Sequence, residues 1–295
     1  MKLKLIAFML TTALIMSAFC SCAHSTNSPQ VVATTLPVYE FTKWICEGTD
    51  IGISQLITEN VSCLHNYTLQ VQQMRAIESA QLVVISGAGL EDFLDNALNS
   101  AMIIDASANV QRLCGSHYHN KHDDHSIHTH EEDPHIWLSP VNAKIMAQNI
   151  CTELSEKYPE HSNIFTENLQ TLLQKLDELY NYGYQELSKL SCREIITFHD
   201  GFSYFAEAFG LNILHAVEEE SGSEASAAEL IELLEMISEH QLPAVFTEEN
   251  GSTAAASIIA AESGIKVYTL NMAMSGDSYF DAMYQNIKTV KEALG

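Results

Sequence analysis

The segment HSNIFTENLQTLLQKLDELYNYGYQELSKL, residues 161–190, carries Ile164, Phe165, Leu169, Leu172, Leu173, Leu176, Leu179, Tyr180 and Leu187 as one apolar stripe at helical spacing. Thirty residues of helix at about 1.5 Å per residue extend roughly 45 Å, longer than a single small lobe needs. The segment is therefore expected to be a rigid connector between two bodies. A break at Gly183 and a coiled-coil partner are the competing readings.

The same grammar runs on both sides of this connector. Upstream, Val31–Thr35 is β-prone, and Val38, Phe41, Trp44 and Ile45 recur at helical spacing before Gly48. A strand at Ile51–Leu56, a polar loop containing His65, and a helix from about Leu69 to Ser79 follow. Gln81–Ser86 is a continuous apolar strand closed by Gly87-Ala88-Gly89, Glu91 and Asp92 open a helix, and Ala101–Asp105 is a further strand. Ser139-Pro140 reads as the cap and first residue of a helix reaching about Tyr158. Downstream, strands at Glu194–Phe198, Leu211–Val217, Pro243–Thr247 and Ile265–Leu270 alternate with helices at Gly201–Phe209, Ala225–His240, Ser252–Ser263 and Ser278–Leu294. The expected fold is α/β, with two lobes, each a mainly parallel sheet flanked by helices, joined by one long rigid helix. Residues 31–160 form the first lobe, 161–190 the linking helix and 191–295 the second lobe. A ligand crevice in such sheets lies beyond the carboxyl ends of the strands.

Chemistry concentrates in HYHNKHDDHSIHTHEEDPHIW, residues 117–137. Seven histidines are interleaved there with Asp123, Asp124, Glu131, Glu132 and Asp133, with almost no apolar residue before Ile136. Such a run buries no core, and imidazole is the commonest protein ligand for zinc and its neighbours, so a His-rich loop at 115–133 reads as a loose metal collector. With 14 Lys+Arg against 38 Asp+Glu, the net charge of −24 repels nucleic acid and draws cations. There is no G-x-G-x-x-G or Walker loop, which argues against a nucleotide cofactor. Beyond residue 30, Cys46, Cys63, Cys114, Cys151 and Cys192 are odd in number and lack CxxC spacing. That argues against both a zinc knuckle and a complete disulfide framework and leaves room for one or two bridges.

At the start, Lys2 and Lys4 precede an apolar run, Leu5–Met16, too short to span a bilayer. It reads as an export signal. The following Phe19-Cys20-Ser21-Cys22 resembles a bacterial lipoprotein signal, with Cys22 after small Ser21 as the lipid-anchor residue. Residues 1–22 are then the signal peptide and 23–30 a tether, and an ordinary secretory signal is the alternative.

TTLPVYEFTKWICEG (34–48), LHNYTLQVQQMRAIESAQLVVISGAGLE (64–91), the His-rich insertion, DPHIWLSP (133–140), ITFHDGFSYFAEAFGL (196–211) and GDSYFDAMYQNI (276–287) occur in one order. In that order the chain resembles the metal-specific solute-binding lipoproteins of bacterial ABC importers, and its acidic His loop is similar to the zinc-importing branch. The resemblance implies two α/β lobes holding a bare cation between them. It implies His65, His135 and His199 as metal ligands, although Leu-His-Asn-Tyr stands where relatives commonly have Pro-His. Asn271 stands where many relatives place a carboxylate, leaving water, a loop histidine or a nearby carboxylate to complete the shell. Asp277 and Glu248 read better as a helix-capping and a structural residue. His24, His161, His215 and His240 have no comparable placement.

Imidazole suits zinc over manganese, so Zn2+ is the expected ligand, carried as cargo. The resemblance further implies an extracytoplasmic, lipid-anchored monomer that passes zinc to a membrane permease driven by an ATPase on separate chains, with no catalysis. The alternatives are a manganese- or iron-importing relative, a zinc-storage or adhesin lipoprotein, and a zinc metallohydrolase, for which no HExxH motif or general base is present.

Overall fold

The computed structural model describes residues 31–61, 64, 67–94, 102–113, 132–218, 225–249 and 254–295. The residues expected to form a signal and tether, with Cys22, and most of the His-rich segment lie outside them.

The first sheet contains β1 (Val31–Ala33), β2 (Ile53–Gln55), β3 (Leu82–Ile85) and β4 (Met102–Asp105) in the order β2-β1-β3-β4. Every described pairing is parallel. Helices α1 (Leu36–Ile45) and α2 (Val71–Ser79) connect its strands. The second sheet holds β5 (Glu194–His199), β6 (Asn212–Glu218), β7 (Ala244–Glu248) and β8 (Lys266–Leu270), all parallel in the order β6-β5-β7-β8. Its helices are α5 (Ser203–Phe209), α6 (Ala227–His240), α7 (Ala254–Ser263) and α8 (Tyr279–Leu294). Between the sheets run α3 (Pro140–Lys157), a single 3-10 turn, and α4 (Ser162–Leu187). The alternation expected from the sequence is the observed one.

Helix α4 joins the lobes without a break. Its buried residues, Phe165, Leu172, Leu176, Leu179, Gly183 and Leu187, fall on the stripe the sequence outlines. Gly183 interrupts nothing. A Cβ there would lie 2.3 Å from Phe209 Cε1 and 3.0 Å from Ile287 Cδ1, so the missing side chain lets α5 and α8 approach the helix. Both ends of α4 are tied down. Asn168 Nδ2 donates to the carbonyls of Ile45 (3.0 Å) and Glu47 (2.8 Å) at the end of α1. The Arg193 guanidinium donates to Leu187 and Ser188 and to Phe209 and Gly210, closing the carboxyl ends of α4 and α5 together.

The core follows from this layout. One continuous apolar cluster runs from Val32, Phe41 and Val84 through Trp137, Met146, Leu172 and Leu176 to Phe205, Phe246, Tyr279 and Ile287. A smaller one, with Ile196, Phe198, Val245, Leu233, Ile237 and Ile259, lies on the other face of the second sheet. Alternation along β5 therefore sends Ile196 and Phe198 outward and Ile195 toward the first lobe.

Polar bonds reinforce the seam between lobes. Trp137 Nε1 donates to the Met272 carbonyl at 2.7 Å, and the Tyr279 hydroxyl donates to the Trp137 carbonyl at 2.9 Å. The Tyr279 N–H donates to Glu40 at 2.6 Å, Leu36 N–H to the Met274 carbonyl at 3.0 Å, and Leu113 N–H to the Tyr204 hydroxyl oxygen at 2.9 Å.

Two local expectations need correction. Glu91 does not open an α-helix in the described residues, where only a 3-10 turn, Asp92–Leu94, follows it. Its buried carboxyl turns back to accept from Thr34 Oγ1 (2.6 Å), Ser86 N (2.8 Å) and Gly87 N (2.9 Å), because the ends of β1 and β3 present donors that need a partner. At α8 the cap is Ser278, whose Oγ accepts from Asp281 N at 3.3 Å, and not the exposed Asp277.

Burial pushes the Glu91 carboxyl up to about 7 from an ordinary 4.5. The folded protein thus holds this proton where the unfolded chain has lost it, and the associated stability is lost as pH rises from 4.5 through 7. Relative to Glu91→Gln, the wild-type unfolding free energy is expected to fall by about 3 kcal/mol across that window in urea titrations; a difference independent of pH would contradict this. Gly183→Val is expected to cost about 1–3 kcal/mol by overpacking against Phe209, read from the same titrations.

Candidate metal centre

His135 and His199 come from opposite lobes and meet at the seam. His135 follows Asp133-Pro134 and leads into the 3-10 turn Ile136–Leu138, whose three side chains are fully buried. His199 is the last residue of β5, at the carboxyl end of its sheet. Both are buried, at 0% and 1% exposure. Their ring centroids are 5.2 Å apart with the planes 82° to one another, and the Trp137 ring packs 5.4 Å from that of His135.

The orientation of His135 is set by its neighbour two residues back. Asp133 Oδ1 lies 2.8 Å from His135 Nδ1 and accepts the His135 backbone N–H, also at 2.8 Å. A carboxylate only accepts, so in the neutral ring the proton sits on Nδ1 and Nε2 keeps its lone pair. Among the described residues that Nε2 is buried and meets no hydrogen-bond partner. An unsatisfied buried acceptor costs about 1–3 kcal/mol, an expense typical of functional positions.

His199 is placed by strand register and by one glycine. Thr197 pairs with Phe246, so two residues further along His199 stands beside Glu248 on the face directed at the first lobe. Glu248 Oε2 is 3.9 Å from His199 Nδ1, and both side chains are at most 2% exposed. Gly201 lies against the ring's other edge: a Cβ there would be 2.7 Å from His199 Cδ2, 2.9 Å from its Nε2 and 2.7 Å from Met272 Cε. The imidazole therefore has Glu248 on its Nδ1 side and a closely fitted backbone toward Nε2.

The donor set suits a borderline cation. With metal–nitrogen bonds of about 2.0–2.1 Å in tetrahedral geometry, two coordinating imidazoles sit with centroids roughly 5 Å apart, close to the separation seen. Among the described residues no group of three or more His, Cys, Asp or Glu closes round an ion. His65, the third histidine singled out by the sequence, lies outside the described residues. Its described flanks are anchored: Leu64 is fully buried, and Tyr67 donates from its backbone to Leu64 and from its hydroxyl to Glu59.

Other sequence-stated positions fall elsewhere. Asn271 uses both ends of its amide structurally, with Nδ2 donating to Glu249 (2.6 Å) and Oδ1 accepting from Ala273 N (2.6 Å). His161 pairs with Asp50 at 3.1 Å and His240 with Glu194 at 3.0 Å. His215 lies on β6, where burial lowers its pKa. Glu248 is the residue whose place the sequence reading missed. Its signal, a carboxylate ending one strand as a histidine ends the neighbouring one, becomes readable only once strand order is known.

Comparison with known proteins bears on the family to which the chain belongs. Residues 31–293 match the family model "ZnuA: Zinc-uptake complex component A periplasmic". The chain is 30% identical over 277 residues to the zinc-binding lipoprotein AdcA of Streptococcus pneumoniae (strain ATCC BAA-255 / R6), covering 89% of this chain and 55% of that protein. It thus spans about half the length of such relatives. It is 28% identical over 279 residues to the high-affinity zinc uptake system protein ZnuA of Bacillus subtilis (strain 168), covering 90% of this chain and 87% of that one. A crystal structure of ZnuA superposes with a TM-score of 0.78 at 29% identity, over 90% of this chain and 99% of its own. The Zn(II)-bound ZnuA-like domain of Streptococcus pneumoniae AdcA superposes at 0.73 and 28%, over 90% and 98%. The chain belongs to the ZnuA family of periplasmic zinc-uptake components.

Proposed function

We propose that this protein captures Zn2+ between its lobes, with His135 and His199 as ligands and His65 as the third, and hands it unchanged to a membrane permease powered by a separate ATPase. The observation that carries this reading is the convergence of two buried imidazoles from opposite lobes, one with its Nε2 free of any hydrogen bond among the described residues. The relatives named for zinc binding and zinc uptake support the choice of cargo. Neutral nitrogen donors favour zinc over manganese. Lipid anchoring through Cys22 keeps the protein at the outer membrane face of the importer, and the acidic His loop at 115–133 raises the local concentration of the ion. Lobe boundaries at residues 160 and 191 place the whole of α4 between the two ligand-bearing halves. The ion's own chemistry is unchanged in this cycle, so the protein acts as a carrier and not as an enzyme.

The test is competitive zinc titration with metal analysis of purified protein. Wild type is expected to hold one tight equivalent, which His135→Ala and His199→Ala each lose while the weaker sites of the His-rich loop remain. Retention of the tight equivalent in both variants would refute the assignment. Gly201→Ala, which drives a methyl group into the His199 ring and Met272, is expected to weaken the tight site about tenfold or more with a smaller effect on melting temperature.

A further inference from the structure

The second lobe holds the His135 segment at two points, one on each side of the histidine in sequence. After it, the Trp137 indole donates to the Met272 carbonyl at 2.7 Å. Before it runs a chain of hydrogen bonds that begins on α5. The Tyr204 hydroxyl oxygen accepts the Leu113 N–H at 2.9 Å, and the Leu113 carbonyl accepts the Asp133 N–H at 3.0 Å. Asp133 Oδ1 in turn accepts the His135 N–H and lies against its Nδ1, both at 2.8 Å. Leu113 and Asp133 flank the His-rich segment, so the same chain closes its neck, where Arg112 Nε also lies 3.6 Å from Glu132 Oε2.

We infer that Tyr204 is a positioning residue for the metal site: reaching from the second lobe through Leu113 and Asp133, it fixes where the His135 ring points. The inference rests on the zinc-capture reading above. A ligand on a loop is aimed only as well as the groups behind it are held. Here the last support is not another loop residue but a fully buried phenol, whose ring belongs to the same apolar cluster as Trp137 and Phe205. Residues 199–204 of the second lobe thus present one imidazole directly, at the end of β5, and aim the other through the neck. The two ligands are set by one short piece of chain, which fixes their mutual angle as well as their separation. Removing the Tyr204 hydroxyl spares the ring's packing and takes from the Leu113 N–H its acceptor.

The experiment compares Tyr204→Phe with Tyr158→Phe, which removes a hydroxyl bonded to Gln81 within the first lobe. Affinity of the tight site for Zn2+ is read by chelator competition. Placement of the ring is read in metal-free protein labelled with 13C-histidine, from the Cδ2–H and Cε1–H resonances of His135, assigned by their absence in His135→Ala. Tyr204→Phe is expected to weaken zinc about threefold to tenfold and to move the His135 resonances, while Tyr158→Phe changes neither. Unchanged affinity in Tyr204→Phe would overturn the inference. So would a fall in affinity with the His135 resonances unmoved, or an equal fall in Tyr158→Phe, since either is the pattern of general support for the fold. Zinc binding by His135→Ala separates the two levels. If that variant keeps the tight site, the capture reading fails and this inference with it; if it loses the site while Tyr204→Phe has no effect, only the positioning role falls.

Discussion

The hydrogen bond from the Trp137 indole to the Met272 carbonyl, answered by that from the Tyr279 hydroxyl to the Trp137 carbonyl, fixes how the two halves of this protein meet. All three residues are buried, so water does not compete for these partners and the bonds keep their geometry. Trp137 stands two residues after His135, and Met272 touches the space beside His199 that Gly201 leaves open. The seam that joins the lobes therefore also sets the distance between the imidazoles. Under the proposed zinc capture, affinity for the ion and integrity of the interlobe core are built from the same contacts.

Much of this was readable before any coordinates. Period-3.6 and short apolar runs separated by turn residues give the strand and helix order, because both faces of a parallel sheet must be covered and the pattern shows it. The stripe through Phe165, Leu172, Leu176 and Leu179 gives the connecting helix, and Ser139-Pro140 gives a true cap. His199 could be placed at a strand's carboxyl end because Ile195 to Phe198 precede it without interruption. His135 could be placed in a loop because Asp133-Pro134 forbids a continuing helix.

What the sequence withheld are relations across strands. Nothing local in Phe246-Thr247-Glu248 says that its glutamate will face a histidine some fifty residues earlier; that depends on β7 lying next to β5 and on the register Thr197–Phe246. Glu91 was misread for a similar reason. A carboxylate at the start of a helical pattern ordinarily serves the helix dipole, but here three donors from β1 and the end of β3 claim it first. Asn271 stands in sequence where relatives place a carboxylate, and only its bonds to Glu249 and Ala273 show what it does instead, with both ends of its amide engaged.

The apolar cluster that passes unbroken from β1 through α4 to α8 has a bearing on how easily the two halves part. A two-body receptor with a thin waist can unload by swinging open under thermal agitation alone. Here the waist is itself core, and parting the halves by more than small shear exposes Trp137, Phe205 and Tyr279 to solvent. If the proposed capture holds, an ion seated in this seam leaves slowly on its own, and the work of parting the halves falls to the surface on which the loaded protein docks. Directionality then comes from the dock, and the courier itself is built to stay shut.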